Sequence, residues 1–554
     1  MDVRKITESL IRSGIKRKLT EWGVRGEISV SVEIPRQEEH GDFSTNAALQ
    51  LAGHLKRKPR DIALELLEAI RREDGSGWLR ELSVAGPGFI NVMLSDNAWR
   101  EALGDALEKG ERFGAGEGEE GEEVLLEFVS ANPTGPLHVG HGRGAAVGDA
   151  LARILSFAGN RVTTEYYVND VGNQMDRLGM SLYARYLQIC GREVEFPEDG
   201  YRGEYLTELA REFRSEAGDR YLSWEGEEAI PVFRKVACER ILDGIRKDLE
   251  SFRVRFDRWF REGILHESGA VPAVVDELRA RGQLYESEGA VYFRSESHGD
   301  EKDRVLVRAD GRATYFASDL AYHRAKFREG YSKMINIWGA DHHGYAPRLS
   351  AALRGLGEND DRLEILLVQF VSLIRDGMAV QMSTRTGEFT TLHEVLDEVG
   401  VDAARFFYLL RSFHSHLDFD LTLAKTRSSE NPVYYIQYVH ARICSIFREA
   451  DERGIEVSDS PSLSVLSLPD EVNLMKKVAR FPDVVSESAR IREPHRIPFY
   501  LLELSREFHA FYHNHRFLGE TPERTQGRLA LARAVRSIVS TGLSLIGVTA
   551  PERM

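Results

Sequence analysis

Cysteine is almost absent. Cys190, Cys238 and Cys444 are the three in 554 residues, scattered and without disulfide or metal-ligand spacing. That excludes a disulfide-framed scaffold, gives no basis for a zinc site, and points to a reducing, cytoplasmic compartment. Long apolar runs are missing too. No stretch approaches the roughly 20 residues that cross a bilayer, and Met1 to Gly14 lacks the apolar core of a secretion signal, so no membrane partner is expected. Positive charge is in deficit, with 73 Lys and Arg against 88 Asp and Glu and a net charge of −15. An acidic total argues against a nucleic-acid partner, but its distribution argues the other way. Residues 1–60 hold 12 basic against 8 acidic residues and residues 425–554 hold 18 against 16, so the acid is concentrated between them. Such a chain suits a cationic small substrate in the middle and a polyanion at the ends. At 42% hydrophobic and 29% charged, it reads as a globular protein of three or four domains.

What is present is concentrated in Glu127 to Leu155. Strand-type residues (Val124 to Val129) lead into Asn132-Pro133-Thr134-Gly135-Pro136, where two prolines forbid helix interior and central strand. Ala145, Val147, Ala150, Leu151, Ile154 and Leu155 then fall mostly at helical spacing. Strand, loop and helix in that order aim a helix N-terminus, with unpaired N–H groups, at an anion. His138 and His141 stand at the helix start with Gly140 between them. Glycine there costs helix stability and suits a close ligand approach to the backbone. The stretch is neither a Walker-type phosphate loop nor a convincing dinucleotide fingerprint.

His138-Val139-Gly140-His141 resembles the HIGH signature of class I aminoacyl-tRNA synthetases. Ser130 to Leu137 before it resembles the form that signature takes in the arginyl-tRNA synthetase family. The resemblance implies a multidomain α/β protein with a Rossmann-like, doubly wound parallel-sheet catalytic domain. It also implies an N-terminal α+β domain and a C-terminal all-α helical-bundle domain, placed here at 111–424, 1–110 and 425–554. Gly114 to Glu123 is glycine-rich and acidic and reads as a linker. A helix-rich insertion is expected around 190–265, and alternating strands and helices over 161–330 suggest βαβ units.

In the N-terminal part, helices are expected over 3–22 and 44–72, with strands near 27–34 and 82–94. Phe89 and Asn91 follow a Gly-Pro-Gly turn. By resemblance they hold a D-loop base of tRNA through stacking and an amide contact; a core Phe and a turn Asn read equally well.

Tyr315 and Asp319 stand four apart, on one face if helical, where a ring and a carboxylate suit a guanidinium; an N-terminal acidic residue with a core Tyr reads equally well from the residues alone. The resemblance places arginine there, with Glu127, Ser130 and Asn132 completing its pocket. Gly339, Asp341 and His342 end the strand-like run from Met334, which suits close approach of an adenosine and acceptance from its ribose. Metal ligation by Asp341, His342 and His343 is the alternative, without a supporting cluster.

Gln381 to Arg385, after a strand expected over 365–374, stands where the family carries KMSKS. Met382 and Ser383 match, whereas Gln381 and Thr384 replace both lysines. Arg385 is the remaining cation there, assigned by us to the ATP phosphates. Beyond Leu417 the pattern is almost wholly helical, and Tyr438 and Arg442 sit in an aromatic and cationic stripe suited to unpaired bases.

The resemblance therefore implies an ATP-dependent ligase joining arginine to its tRNA through an adenylate. His138 and His141 would contact phosphates, as charged or neutral donors. ATP would enter with Mg2+ as a substrate complex, without a tightly bound cofactor or zinc. A cytoplasmic monomer is expected, and activation that requires bound tRNA is a family trait. The altered Gln381–Arg385 loop keeps one other class open, a synthetase-derived RNA-binding or nucleotide-sensing protein with weakened catalysis.

Overall fold

The computed structural model describes residues 2–24, 31–35, 37–116, 121–380 and 390–554. Its centre is a five-stranded, all-parallel sheet in the spatial order Leu363–Val368, Lys333–Gly339, Glu123–Glu127, Arg161–Val168, Arg258–Arg261. The first strand in sequence is the middle one. The chain runs outward to one side through Arg161–Val168 and Arg258–Arg261, then returns to start the other side at Lys333–Gly339. The order reverses between Glu123–Glu127 and Lys333–Gly339, and crevices at such a reversal are where doubly wound sheets hold ligands. Both strands are buried on both faces, which is why Val124, Leu125, Leu126, Met334, Ile335 and Ile337 form near-continuous apolar runs.

The helix Val139–Phe157 returns across this sheet largely buried. Gly148 makes that possible: a Cβ there would lie 2.2 Å from the Phe128 ring, so only glycine allows the helix this close to the strand.

Around the sheet, several expected elements are redrawn. The helix expected over 44–72 is two, Ala47–Leu55 and Pro59–Glu73, divided at left-handed Lys56. Of the strand expected near 27–34, residues 25–30 lie outside the described set, and only the bridge Glu33–Ser44 is formed beyond them. Residues 82–94 form a hairpin, Leu79–Ala85 with Phe89–Leu94. The stretch 190–265 supplies the helices Glu204–Ala217 and Gly226–Ser251, but its end, Arg258–Arg261, is a strand of the main sheet. Leu284–Ser287, Ala290–Phe293 and Arg304–Val307 are not βαβ strands; they make a separate antiparallel sheet, the first two joined by a two-residue turn and the second and third by a ten-residue loop without a crossover helix.

The strand expected over 365–374 is two strands in different sheets, Leu363–Val368 and Val371–Arg375, broken at Gln369 and Phe370. Leu417–Asp420, read as the start of the helical region, is a strand parallel to Val371–Arg375. The helices Pro432–Glu452, Pro469–Ala479, Arg496–Asn514 and Pro522–Leu545 follow. This bundle touches the N-terminal part through the Lys476–Asp42 ion pair at 2.6 Å and Arg4–Asp483 at 2.9 Å. No described helix is long and apolar enough to cross a membrane.

Candidate active site

A cavity of about 580 Å³ opens at the reversal point, lined by Ser130, Asn132, His138, Gly140 and His141 on one side and by Gly339, Asp341 and His342 on another. Gln369 and Phe370 also line it.

The loop that carries the first group is strained. Val129 and Ser130 both have positive φ, 66° and 40°, a conformation that a β-branched residue adopts only when its surroundings enforce it. Here Ser130 N donates to Phe128 O (2.9 Å) and Ser130 Oγ to Glu127 Oε1 (3.1 Å). Tyr166 Oη donates to Ala131 O at 2.8 Å. These bonds turn Asn132 outward at the cavity, where its Nδ2 donates to Gln174 Oε1 at 3.1 Å.

The helix start differs from the expectation of open N–H groups. His138 Nδ1 accepts from Gly140 N (3.1 Å) and His141 N (3.4 Å), and His141 Nδ1 accepts from His138 N (3.3 Å). Val139 N donates to Thr390 O, and Gly142 N to His138 O. The first-turn donors are thus satisfied by the protein itself. Gly140 leaves room for the His138 ring, whose Cε1 would lie 3.0 Å from an added Cβ, and itself lines the cavity. With both Nδ1 atoms accepting, each ring carries its proton on Nε2. The rings stack at 3.6 Å. Burial lowers the His138 pKa, and burial with His138 alongside lowers that of His141 to about 3. In the ligand-free protein both shifts favour the neutral imidazole with its N–H on Nε2.

Glu127, Tyr315 and Asp319 do not line this cavity; they lie around it. Glu127 is enclosed: Lys326 Nζ donates to its Oε2 at 2.5 Å and Tyr322 Oη at 3.0 Å. Tyr322 Oη also reaches Glu165 Oε1 at 2.6 Å. Lys326 and Tyr322 come from the helix Tyr315–Arg328, as does Asp319. Tyr315, its first residue, is 51% exposed. Asp319 accepts from the Tyr345 hydroxyl. Burial, opposed by that bond and aided by the nearby carboxylates Glu262 and Glu127, pushes the Asp319 pKa up to about 7.

Glu262 was not singled out by the sequence. It closes the turn after strand Arg258–Arg261, is 2% exposed, and its pKa is raised by burial. In the amide orientation that satisfies its neighbours, Asn169 Nδ2 donates to Glu262 at 3.1 Å, and His266 Nε2 lies 3.6 Å away. Among the described residues, neither Asp319 nor Glu262 has a Lys or Arg at ion-pair distance. A buried carboxylate, Glu262, that raises the pKa of a half-buried one, Asp319, with no Lys or Arg fixed on either among the described residues, forms a site for a cationic ligand. Only their separation in sequence hid the pair.

Met382, Ser383 and Arg385 lie outside the described residues. Asp341 and His342 are well exposed, with His342 Nε2 3.5 Å from Asp341 Oδ2. Of the proposed tRNA contacts, Phe89 is 39% exposed, but Asn91 is 8% exposed and its amide faces His40 Nδ1 at 3.5 Å. In the helical bundle, Arg442 is stacked between Tyr438 (4.4 Å) and Tyr512 (4.3 Å), with His509 Nδ1 at 3.1 Å. Together with Ser429, Tyr435 and His513 these line a second cavity of about 480 Å³. Aromatic faces around a guanidinium form a platform on which bases stack.

A parallel sheet with paired histidines at its reversal point and a nucleotide-sized cavity beside them define a class I aminoacyl-tRNA synthetase. Residues 103–407 match the model of the class I (R) tRNA synthetase catalytic domain, residues 9–94 the arginyl-tRNA synthetase N-terminal domain, and residues 436–554 the DALR anticodon-binding domain. An arginine–tRNA ligase of Geobacter sp. (strain M21) is 50% identical over 532 residues, 96% of each chain. One from Bacillus licheniformis is 42% identical over the whole of both chains. The solved arginyl-tRNA synthetase of Thermus thermophilus superposes with a TM-score of 0.78 at 25% identity, covering both chains completely. The chain belongs to the arginyl-tRNA synthetase family, and it is an ATP-dependent enzyme that joins arginine to tRNA.

Proposed function

We propose that the carboxylates of half-buried Asp319 and buried Glu262 receive the guanidinium of arginine, and that His138 and His141 hold the phosphates of ATP. The observation that carries this is the juxtaposition of an unanswered negative pair and two Nε2–H donors around one crevice. Tyr315 packs on the guanidinium plane. Ser130 and Asn132, on the strained loop, hold the amino and carboxylate end beside the histidines. Gly339, Asp341 and His342 meet the adenosine, and Arg385 meets the phosphates. Glu127 orients rather than binds, because its charge is already answered by Lys326.

In the first step a carboxylate oxygen of arginine attacks the α-phosphorus in line and pyrophosphate leaves. No protein nucleophile takes part, so catalysis is positioning and charge stabilisation. In the second step the terminal ribose hydroxyl of tRNA attacks the adenylate carbonyl, its proton departs, and AMP leaves. Magnesium enters with ATP. Phe89 and Asn91 meet the D-loop, and Tyr438 and Arg442 meet the anticodon loop, where the second cavity supports the reading. The working division is 1–110, 111–424 and 425–554, in a cytoplasmic monomer.

The test is tRNA charging by Asp319→Asn and Glu262→Gln. Each should raise the KM for arginine while leaving that for ATP near its original value. An unchanged arginine KM in both would remove the pair from the pocket.

A further inference from the structure

Gln369 and Phe370 interrupt what the sequence reads as one strand, and the interruption has a physical cause. Arg143, on the same helix as the two histidines, is fully buried and has no carboxylate at ion-pair distance among the described residues. Its guanidinium instead collects main-chain carbonyls. Nη1 donates to Gln369 O at 2.8 Å, Phe370 O at 3.4 Å and Ser415 O at 2.8 Å, and Nη2 to Ser412 O at 3.0 Å. On the amide side of the same crossing, Gln369 N donates to Phe413 O and Leu417 N to Phe370 O.

A planar fork that stays protonated is suited to gathering several carbonyls at once, and a lysine is not. Burial lowers the Arg143 pKa only to about 10, so the charge is present at neutral pH. The carbonyls it holds belong to the wall of the main cavity. Gln369 and Phe370 line it together with His138 and His141, and the Phe370 side chain is 59% exposed. An unburied aromatic in an apolar wall offers a face on which a purine base stacks.

We propose that Arg143 is a positioning residue for ATP: it fixes the Gln369–Phe370 wall at a set distance from the histidines, and so holds base and phosphates in register. The inference rests on the reading that this cavity takes ATP. Arg143 itself touches no substrate; it acts through the backbone of the wall.

The experiment is steady-state pyrophosphate exchange on the full-length protein with tRNA present, comparing Arg143→Lys and Arg143→Gln with the parent and following melting of each. A wall moved by even a fraction of an ångström should raise the KM for ATP by about 10-fold or more, with the KM for arginine altered by less than about twofold. The two variants should be graded, Gln worse than Lys. An unchanged ATP KM, or equal rises for ATP and arginine, would overturn the proposal. Loss of cooperative melting in both variants would overturn it as well, since the four bonds would then belong to the body of the fold. His141→Ala separates the two layers of argument. If it leaves the ATP KM and the exchange rate untouched, the cavity reading fails and carries this inference with it; if it impairs exchange while Arg143→Lys does nothing, this inference alone fails.

Discussion

Lys326 Nζ lies 2.5 Å from Glu127 Oε2, and both side chains are closed to solvent. The carboxylate beside the signature loop therefore has its counter-ion built in. Breaking such a pair from one side leaves a buried charge uncompensated, at a cost of about 3–5 kcal/mol. Lys326→Met should lower the denaturant midpoint accordingly, and adding Glu127→Gln should restore much of the loss, because the double change leaves no lone ion. An additive double variant would mean that the two groups do not answer one another.

Asp319 sets a pH dependence. Its folded-state pKa is about 7 against an ordinary value of 3.8, raised chiefly by burial. A carboxylate with a raised folded pKa stabilises the substrate-free protein below pH 3.8, and that contribution is lost as pH rises through 7. Binding of arginine runs the opposite way, since the guanidinium needs the ionised form. The kcat/KM for arginine should rise with pH across an apparent pKa near 7, and Asp319→Asn should abolish that limb. A profile unaltered in the variant would assign the limb to another group.

His141 should not titrate near neutrality. With His141 lowered to about 3 by burial, its N–H is present throughout the working range. His141→Ala should reduce pyrophosphate exchange by about 100- to 1,000-fold, as removal of one preorganised donor to a developing charge does. His141→Asn, which keeps an N–H, should lose less. Equal losses would show that the ring's stacking on His138, rather than its donor, matters.

Selection against lysine should reside in the carboxylate pair. A planar guanidinium offers paired N–H donors along each edge to the two carboxylates, whereas an ammonium meets each through a single donor, and each lost hydrogen bond costs about 1–3 kcal/mol. Glu262→Gln should narrow the ratio of arginine to lysine activation more than it lowers overall turnover. An unchanged ratio would place selection elsewhere.

Much of this site was legible in the sequence because it is local. Strand, proline-bounded loop and paired histidines occupy one continuous stretch, and the spacing of Tyr315 and Asp319 put them on one helix, though their proposed role came from the family resemblance. The helix capped by its own histidines was not legible, since neither ring's direction follows from spacing. Glu262 lies 57 positions before Asp319 and reaches it only through the sheet order. The break at Gln369 was hidden for a related reason. Val368 to Leu373 has strand composition throughout, and the carbonyl-gathering Arg143 that interrupts it lies 226 residues earlier. The hairpins within 284–307 carry strand patterns indistinguishable from those of the main sheet, because periodicity reports burial and not which sheet a strand joins.

The most direct measurement is a crystal structure of the protein with arginine bound. The account predicts guanidinium nitrogens within hydrogen-bond distance of both Asp319 and Glu262, with Lys326 still on Glu127. A guanidinium seated on Glu127 with Lys326 displaced, or one touching neither Asp319 nor Glu262, would contradict it.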